Sequence, residues 1–315
     1  MRLLFVIDDA AGLNAKTDSS ITIMRAAAER GDEVHLAGIQ SFVADGEGCS
    51  VLAQKAHIKT QTPDDIAAWC ETDNAVLRGG DFFDAVMMRK EPPVDGAFLE
   101  ATLLLDRMAA PVFNAPRALR EQNEKLAILD FPALIPPTIV AADINIIADF
   151  HNKHKGAVLK PLDGMGGRGV LALAAGDLNL RAAAAMIGDN GKRLIMAQKY
   201  VPEAKDGDKR IFVIDGKAAS VMLARKPQQG DHRSNMAAGG QAKAVPLGAA
   251  EKHIADIIAP TLKQKGVLFA GLDIIGECLT EINITCPTGL QVVKTQTGED
   301  LAADILAAAM AHIGH

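Results

Sequence analysis

The sequence predicts an α/β protein, with a parallel βαβ sheet at the N-terminus and a strand-rich second half organised around a glycine-rich loop. Three observations carry this. Residues 3–7 and 34–39 are short apolar runs separated by helical spacing over 19–30, the length of a βαβ unit with a right-handed crossover. Gly164, Gly166, Gly167 and Gly169 lie between two apolar runs, 157–160 and 170–174. Asp215-Gly216 separates alternating segments at 210–214 and 218–223, a strong hairpin-turn signal.

A chain of 315 residues, 49% apolar, is long enough for two or three packed units. The formal net charge of −6, with acids and bases interleaved, argues against nucleic acid or an anionic membrane as partner, because both reward a basic face. The four cysteines, Cys49, Cys70, Cys278 and Cys286, show no C-x-x-C spacing, which points to a reducing compartment and a cytoplasmic protein. The apolar start is cut by Asp8 and Asp9, so it reads as a buried strand rather than a leader. No apolar run reaches the roughly 18 residues of a membrane span.

The remaining elements follow in order. Asp18 or Ser19 caps the first helix, and Gly31 ends it. A strand at 86–88, a helix at 98–108, an extended piece at 111–114 and a helix at 117–129 carrying Lys125 complete the first part. The proline-rich segment 131–140 is a connector opening a new unit. Beyond it, 144–154 and 182–187 read as helices and 194–200 as a strand. Residues 226–244 are polar and glycine-rich, too long for an ordinary connection, hence a lid or a disordered loop. A helix at 251–264, a hairpin at 269–285 and a helix at 300–311 end the chain.

Two features carry chemistry. The run K-P-L-D-G-M-G-G-R-G-V from Lys160 to Val170 lets backbone N–H groups approach an anion without Cβ interference. It lacks the G-K-[ST] of a Walker A loop, and strands flank it on both sides, so it reads as a flap over phosphates or as a flexible hairpin turn. Lys160 immediately before it favours phosphate. Glu281 and Asn283, two apart in a strand, share a face, with Ile282 and Ile284 on the core side. With Asp273 they form an all-oxygen set suited to magnesium, or an ordinary solvated acidic face. Membership of Asp273 depends on register. A two-residue turn at Gly276-Glu277 pairs it with Thr280, whereas a three-residue turn through Cys278 pairs it with Glu281, and the odd-length turn is the one expected. Arg210, Arg225 and Lys125 are bases that matter if they converge on phosphate, whose transfer is catalysed by placed positive charge. The eight histidines show no metal-ligand spacing.

Taken together, the strings MRKEPP, NEKL, KPLDGMGG, DGDKR, AAGG and GLDIIG…LTEIN, in this order and spacing, resemble the bacterial glutathione synthetases, which are ATP-grasp ligases. The resemblance covers nearly the whole chain. It implies a Rossmann-like N-terminal domain (1–122), a small α+β lid subdomain (123–200) and a large subdomain (201–315) with a mobile loop at 226–241. It also implies residue roles. Lys125, Lys160, Gly164, Met165, Gly166, Gly167, Gln198, Lys199, Tyr200, Val201 and Asp208 would hold ATP. Asp273, Glu281 and Asn283 would hold Mg2+, with Mn2+ as a substitute. Arg210 and Arg225 would be catalytic. Asp18, Ser19, Ser20, Arg89, Arg225, Asn235, Gly239, Gly240, Asn283, Thr285, Pro287 and Thr288 would contact the substrates γ-glutamylcysteine and glycine. A homotetramer is implied as well. Competing readings are a D-alanine or glutamate ligase on the same fold, and a nucleotide-binding module without ligation.

Overall fold

The computed structural model describes residues 1–60, 68–226 and 241–313. The first sheet is built from β1 (Arg2–Val6), β2 (Glu33–Ala37), β3 (Phe42–Ala44), β4 (Cys49–Ile58), β5 (Cys70–Thr72), β6 (Val76–Gly79), β7 (Ala85–Met88) and β8 (Val112–Phe113). Its main path runs β3-β4-β2-β1-β7-β8, and β1 pairs in parallel with both β2 and β7. Leu3, Leu4, Phe5 and Val6 are all buried because helices cover both faces of this strand. On one face α1 (Ser19–Glu29) packs Ile21 and Met24 against Leu3 and Phe5. On the other, α2 (Gly96–Leu105) packs Phe98 and Leu105 with Val86 and Met88. Asp18 is the cap of α1, accepting from the Ser20 and Ile21 amides at 2.6 and 3.2 Å.

A short helix α3 (Pro116–Glu121) leads to the second sheet. There β9 (Thr138–Ala141), β10 (Gly156–Pro161), β11 (Leu171–Ala174) and β12 (Ile195–Lys199) form an antiparallel sheet in the order β11-β10-β12-β9. Helices α4 (Ile144–His154) and α5 (Leu180–Ile187) bury Ile147, Phe150 and Ala184 against Leu159 and Ala197. The third sheet comprises β13 (Asp208–Ile214), β14 (Lys217–Lys226), β15 (Gln241–Pro246), β16 (Phe269–Ile275) and β17 (Cys278–Asn283), antiparallel in the order β15-β14-β13-β16-β17. Helix α6 (Ala249–Gln264) covers one face through Ile254, Ile258 and Leu262. The other face, with Phe212, Leu223 and Phe269, meets α7 (Leu290–Thr297) and α8 (Leu301–Ile313). Since α8 also packs Ile305 and Leu306 into the cluster of α1 and β1, the first and third sheets share apolar cores. Asp215 and Gly216 both have positive φ, as a tight two-residue hairpin turn requires.

Three expectations are corrected. The helix expected at 117–129 stops at Glu121, because the Asn123 side chain captures the amides of Lys125 and Leu126 at 3.0 and 3.1 Å and restarts the chain as a 3₁₀ turn, Leu126–Asp130. Lys125 therefore stands at a junction, not on a helix. The proline-rich connector ends early, and its last residues form strand β9. The 276–278 turn has two residues, with Ile275 opposite Cys278, rather than three. Asp273 is nevertheless opposite Glu281, because a bulge between Asp273 and Ile274 leaves Thr280 as the extra residue. The Thr280 hydroxyl donates to the Asp273 carbonyl at 3.0 Å. Between 42 and 79, where the sequence offers no clear element, the structure places β3 to β6. Exposed residues on β5 and β6 leave no clear alternation to read.

One buried side chain joins the first and third sheets. Asn114, at the end of β8, donates to the carbonyls of Phe269 and Ile284 at 2.8 and 2.6 Å. Its oxygen accepts from the Leu268 and Phe269 amides at 2.8 and 2.9 Å. Asn114→Ala would strand these backbone groups out of water, and a loss of about 3–5 kcal/mol is expected. The shift in urea midpoint measures it; a change under about 1 kcal/mol would contradict this account.

Candidate active site

The β16–β17 hairpin forms the floor of the site. Register sets Asp273 opposite Glu281 and Gly271 opposite Asn283, so the three polar side chains share one face. The Asn283 amide donates to Asp273 Oδ2 at 3.2 Å and to the Gly271 carbonyl at 3.2 Å. On the next strand Arg210 is the cross-strand partner of Asp273, and one strand further Arg225 is the partner of Asp208. Arg210 donates to both oxygens of Asp273 through Nε and Nη2, each at 2.8 Å. Arg225 does the same to Asp208 at 2.6 and 2.8 Å, and also reaches Asp273 Oδ2 at 3.0 Å. Both guanidinium groups and Asp273 are buried. Burial would raise the Asp273 pKa, but the Arg210 and Arg225 charges outweigh it and hold the carboxyl well below the usual range. Asp208 moves the other way: burial raises it, only partly offset by Arg225.

The roof is the loop between β10 and β11. Gly166, Gly167 and Gly169 have positive φ, and a Cβ on Gly164 would lie 2.9 Å from the Arg168 carbonyl oxygen. Lys125 ties roof to floor: Nζ donates to the Gly164 carbonyl at 2.5 Å and pairs with Glu281 at 2.9 Å. Lys160 is held from β12, where Gln198 Oε1 accepts from its Nζ at 2.5 Å and Gln198 in turn donates to Thr138. Burial, opposed by Glu281 and reinforced by Lys125, draws the Lys160 pKa down to about 8.

Between roof and floor lies an open cleft of about 980 Å³, solvent space included, lined by Lys125, Lys160, Gly164, Gly166, Gly167, Gln198, Lys199, Tyr200, Val201, Asp208, Asp273 and Glu281. A second cleft of about 630 Å³ shares Met165, Gly166 and Glu281 with it and continues past Arg210, Arg225 and Asn283 to Thr285, Pro287 and Thr288. All the expected nucleotide residues thus meet in the first cleft.

The N-terminal residues of the expected set come in from the other side. Arg89 is buried and donates to Ser20 Oγ, the Thr285 carbonyl and the Pro287 carbonyl at 3.1, 3.3 and 3.2 Å. Ser19 Oγ accepts from the Leu290 amide at 3.2 Å. Asp18 lines a third cavity with Glu91 and Thr288. Asn235, Gly239 and Gly240, with most of the expected 226–241 loop, lie outside the described residues.

Residue-by-residue reading missed three site residues. Glu124 lines the second cleft, and its Oε1 accepts from the Ile284 amide, the Thr285 amide and the Thr285 hydroxyl at 2.7, 2.9 and 2.8 Å. The string N-E-K-L contains it, but a glutamate beside a lysine carries no local sign of its partners at residues 284 and 285. Glu91 lines the same cleft. Cys286 does too; its thiol lies 3.6 Å from Ser20 Oγ and 3.5 Å from the Arg89 carbonyl, and burial pushes its pKa up to about 12.

Comparison with known proteins now bears on this geometry. The signature of the prokaryotic glutathione synthetase N-terminal domain matches residues 1–120, and that of the same family's ATP-grasp domain matches residues 124–298. The chain belongs to the prokaryotic glutathione synthetase family. Among relatives, the glutathione synthetase of Neisseria meningitidis serogroup B is 40% identical over 306 residues, 96% of each chain. That of Bordetella parapertussis is 41% identical over 306 residues, 95% of each chain. Solved structures support the fold. D-cycloserine synthetase DcsG superposes with a TM-score of 0.70 at 17% identity over 99% of each chain. A RimK domain protein ATP-grasp from Sphaerobacter thermophilus gives 0.60 at 16% identity over 98% of this chain and 100% of that one. The expected fold class, a Rossmann-like domain followed by a two-part ATP-grasp unit, is the one this glutathione synthetase family member has. Among the described residues no helix is long and apolar enough to cross a membrane.

The buried ion network generates a prediction that does not depend on turnover. Asp273→Asn leaves two buried guanidinium groups sharing the single charge of Asp208, and breaking a buried pair costs about 3–5 kcal/mol. Chemical denaturation should show that loss; an unchanged midpoint would mean the network is not coupled as drawn.

Proposed function

We propose that the chain is an ATP-dependent ligase joining γ-glutamylcysteine to glycine through an acyl phosphate, with release of ADP and phosphate. What supports the reading most is membership of the glutathione synthetase family over 96% of the chain together with two clefts that meet at Met165, Gly166 and Glu281, with Arg210 and Arg225 in the wall of the second. The three units of the chain in this reading are 1–122, 123–200 and 201–315, and it works as a homotetramer in the cytoplasm, where its four free cysteines stay reduced.

A carboxylate resists attack by an amine because oxide is a poor leaving group. Transfer of the γ-phosphoryl group to the dipeptide's cysteinyl carboxylate breaks the P–O bond to ADP, whose oxygen takes the electron pair. The acceptor's ammonium group sheds one proton to solvent, its nitrogen lone pair then forms the C–N bond, the C–O bond to phosphate breaks with its electron pair leaving on phosphate, and a second nitrogen proton passes to the departing phosphate. In the first cleft Lys125 and Lys160 neutralise phosphate oxygens, the Gly164, Met165, Gly166 and Gly167 backbone covers them, and the strand from Gln198 to Val201 with Asp208 borders the nucleoside. Arg210 and Arg225, in the wall of the second cleft, stabilise charge on the acyl phosphate and the tetrahedral intermediate. Asp18, Ser19, Ser20, Arg89 and the Thr285, Pro287 and Thr288 wall shape the dipeptide's end.

Asp273, Glu281 and Asn283 offer oxygen on one face, the chemistry a hard divalent cation needs; Arg210 and Arg225 hold the Asp273 oxygens and Lys125 pairs with Glu281, contacts a cation would have to share or displace. Those residues would hold Mg2+, or Mn2+ in its place, and the ion would neutralise phosphate charge during transfer.

The decisive measurement is ADP release. It should require ATP, the dipeptide and glycine together; equal release with D-alanine or glutamate in place of the substrates, or none, would remove the assignment. A second expectation concerns pH. Because the Lys160 pKa lies near 8, its charge is present below that pH and is lost above it. Affinity for a non-hydrolysable ATP analogue should weaken about tenfold from pH 7 to pH 9 in calorimetric titrations, and Lys160→Arg should flatten the profile. A pH-independent wild type would exclude Lys160 as the phosphate base.

A further inference from the structure

Three carboxylates line the second cleft: Glu91, Glu124 and Glu281. Glu281 is paired with Lys125. Among the described residues neither Glu91 nor Glu124 has an ion-pair partner. Glu124 is the more constrained of the two. Its Oε1 is fixed by three donors from residues 284 and 285, while its Oε2 has no hydrogen-bond partner among the described residues. A carboxylate held in that way, partly buried and beside Glu281, carries an uncompensated desolvation cost that a bound cation would offset. Burial and the Glu281 charge both raise its pKa, in keeping with a missing counter-charge.

The reaction proposed above brings two ammonium groups to the enzyme, one on the γ-glutamyl end of the dipeptide and one on the incoming amino acid. The cleft offers two unpaired carboxylates. Glu91 lies toward the cap of α1, where the third cavity begins. Glu124 instead is fastened to the backbone just beyond Asn283, and its own carbonyl accepts from the Ile282 amide at 2.9 Å, so it sits at the reacting end beside the β17 strand.

We propose that Glu124 is the acceptor's anchor: Oε2 receives the ammonium group of the incoming amino acid, while Oε1 keeps the carboxylate locked to the strand that bears Glu281 and Asn283. This rests on the ligase reading and deepens it, since it names the group that selects a charged amine and positions it beside the acyl carbon, where it sheds one proton to solvent before its lone pair attacks. The anchor is a charge-assisted contact on a pre-positioned side chain, so removing the charge costs binding without moving the wall.

Glu124→Gln tests it, because the amide oxygen still accepts the three bonds made by Oε1 while the negative charge is gone. With ATP and γ-glutamylcysteine, the KM for glycine should rise roughly 10- to 100-fold, with the KM values for ATP and dipeptide little changed. Hydroxylamine, a small nucleophile neutral at the assay pH, needs no anionic anchor, and its capture of the acyl phosphate should fall by less than about threefold in the variant. Equal losses with glycine and hydroxylamine would show that Glu124 acts only through the fold and would overturn the proposal, as would an unchanged KM for glycine. The wild-type arm is read first: failure to release ADP with dipeptide and either amine would overturn the ligase reading itself and the proposal with it.

Discussion

The site depends on a single buried carboxylate. Asp273 takes Arg210 in a two-pronged contact and shares a guanidinium nitrogen of Arg225 with Asp208, so four charged side chains on three adjacent strands hold one another in place. Removing such charges from water is costly, and the arrangement is tolerable only because each has an oppositely charged partner with good geometry. Register follows from this. A one-residue slip of β13 against β16 would turn Arg210 toward the apolar face that holds Ile211 and Leu272, leaving both charges unpaired. The bulge at Thr280 belongs to the same constraint, since without it Glu281 would face away from Asp273.

A second set of contacts carries that arrangement to the rest of the molecule. Asn114 and Arg89 reach from the first sheet to the start of β16 and to the loop after β17, while Asn123, Glu124 and Lys125 reach from the connector to the roof and the floor. Each of these side chains reaches at least one backbone group far away in sequence. The walls of both clefts are therefore positioned by polar staples between sheets that are otherwise joined by shared apolar packing.

Much of this was legible in the sequence where pattern and chemistry agreed. The βαβ start shows in apolar runs at the right separation, the Asp215-Gly216 hairpin in its turn residues, and α4 in the helical reading of 144–154. The glycine-rich roof and the pair Glu281 and Asn283 were found from residue type and spacing alone. What escaped was whatever depends on partners distant in sequence. No local signal shows that Asn123 would break a helix, or that a two-residue turn would be corrected by a bulge, because the partners of Asp273 and Glu281, Arg210, Arg225 and Lys125, all lie far away in sequence. Strands β5 and β6 escaped for a related reason: they are stabilised by an edge on β4, not by an alternation of their own. Glu124 escaped because a glutamate beside a lysine in a polar stretch is unremarkable until the backbone of residues 284 and 285 is placed against it.

The Cys286 thiol in the wall of the second cleft bears on how such an enzyme would live with its chemistry. Disulfide exchange proceeds through the thiolate, and a thiol with a pKa near 12 is ionised to only about one part in 10⁵ at pH 7. In the proposed reaction both the dipeptide and the product carry a thiol. Keeping its own sulfur in the un-ionised state lets a cysteine line the path of a sulfur-bearing ligand without becoming trapped in a mixed disulfide with it.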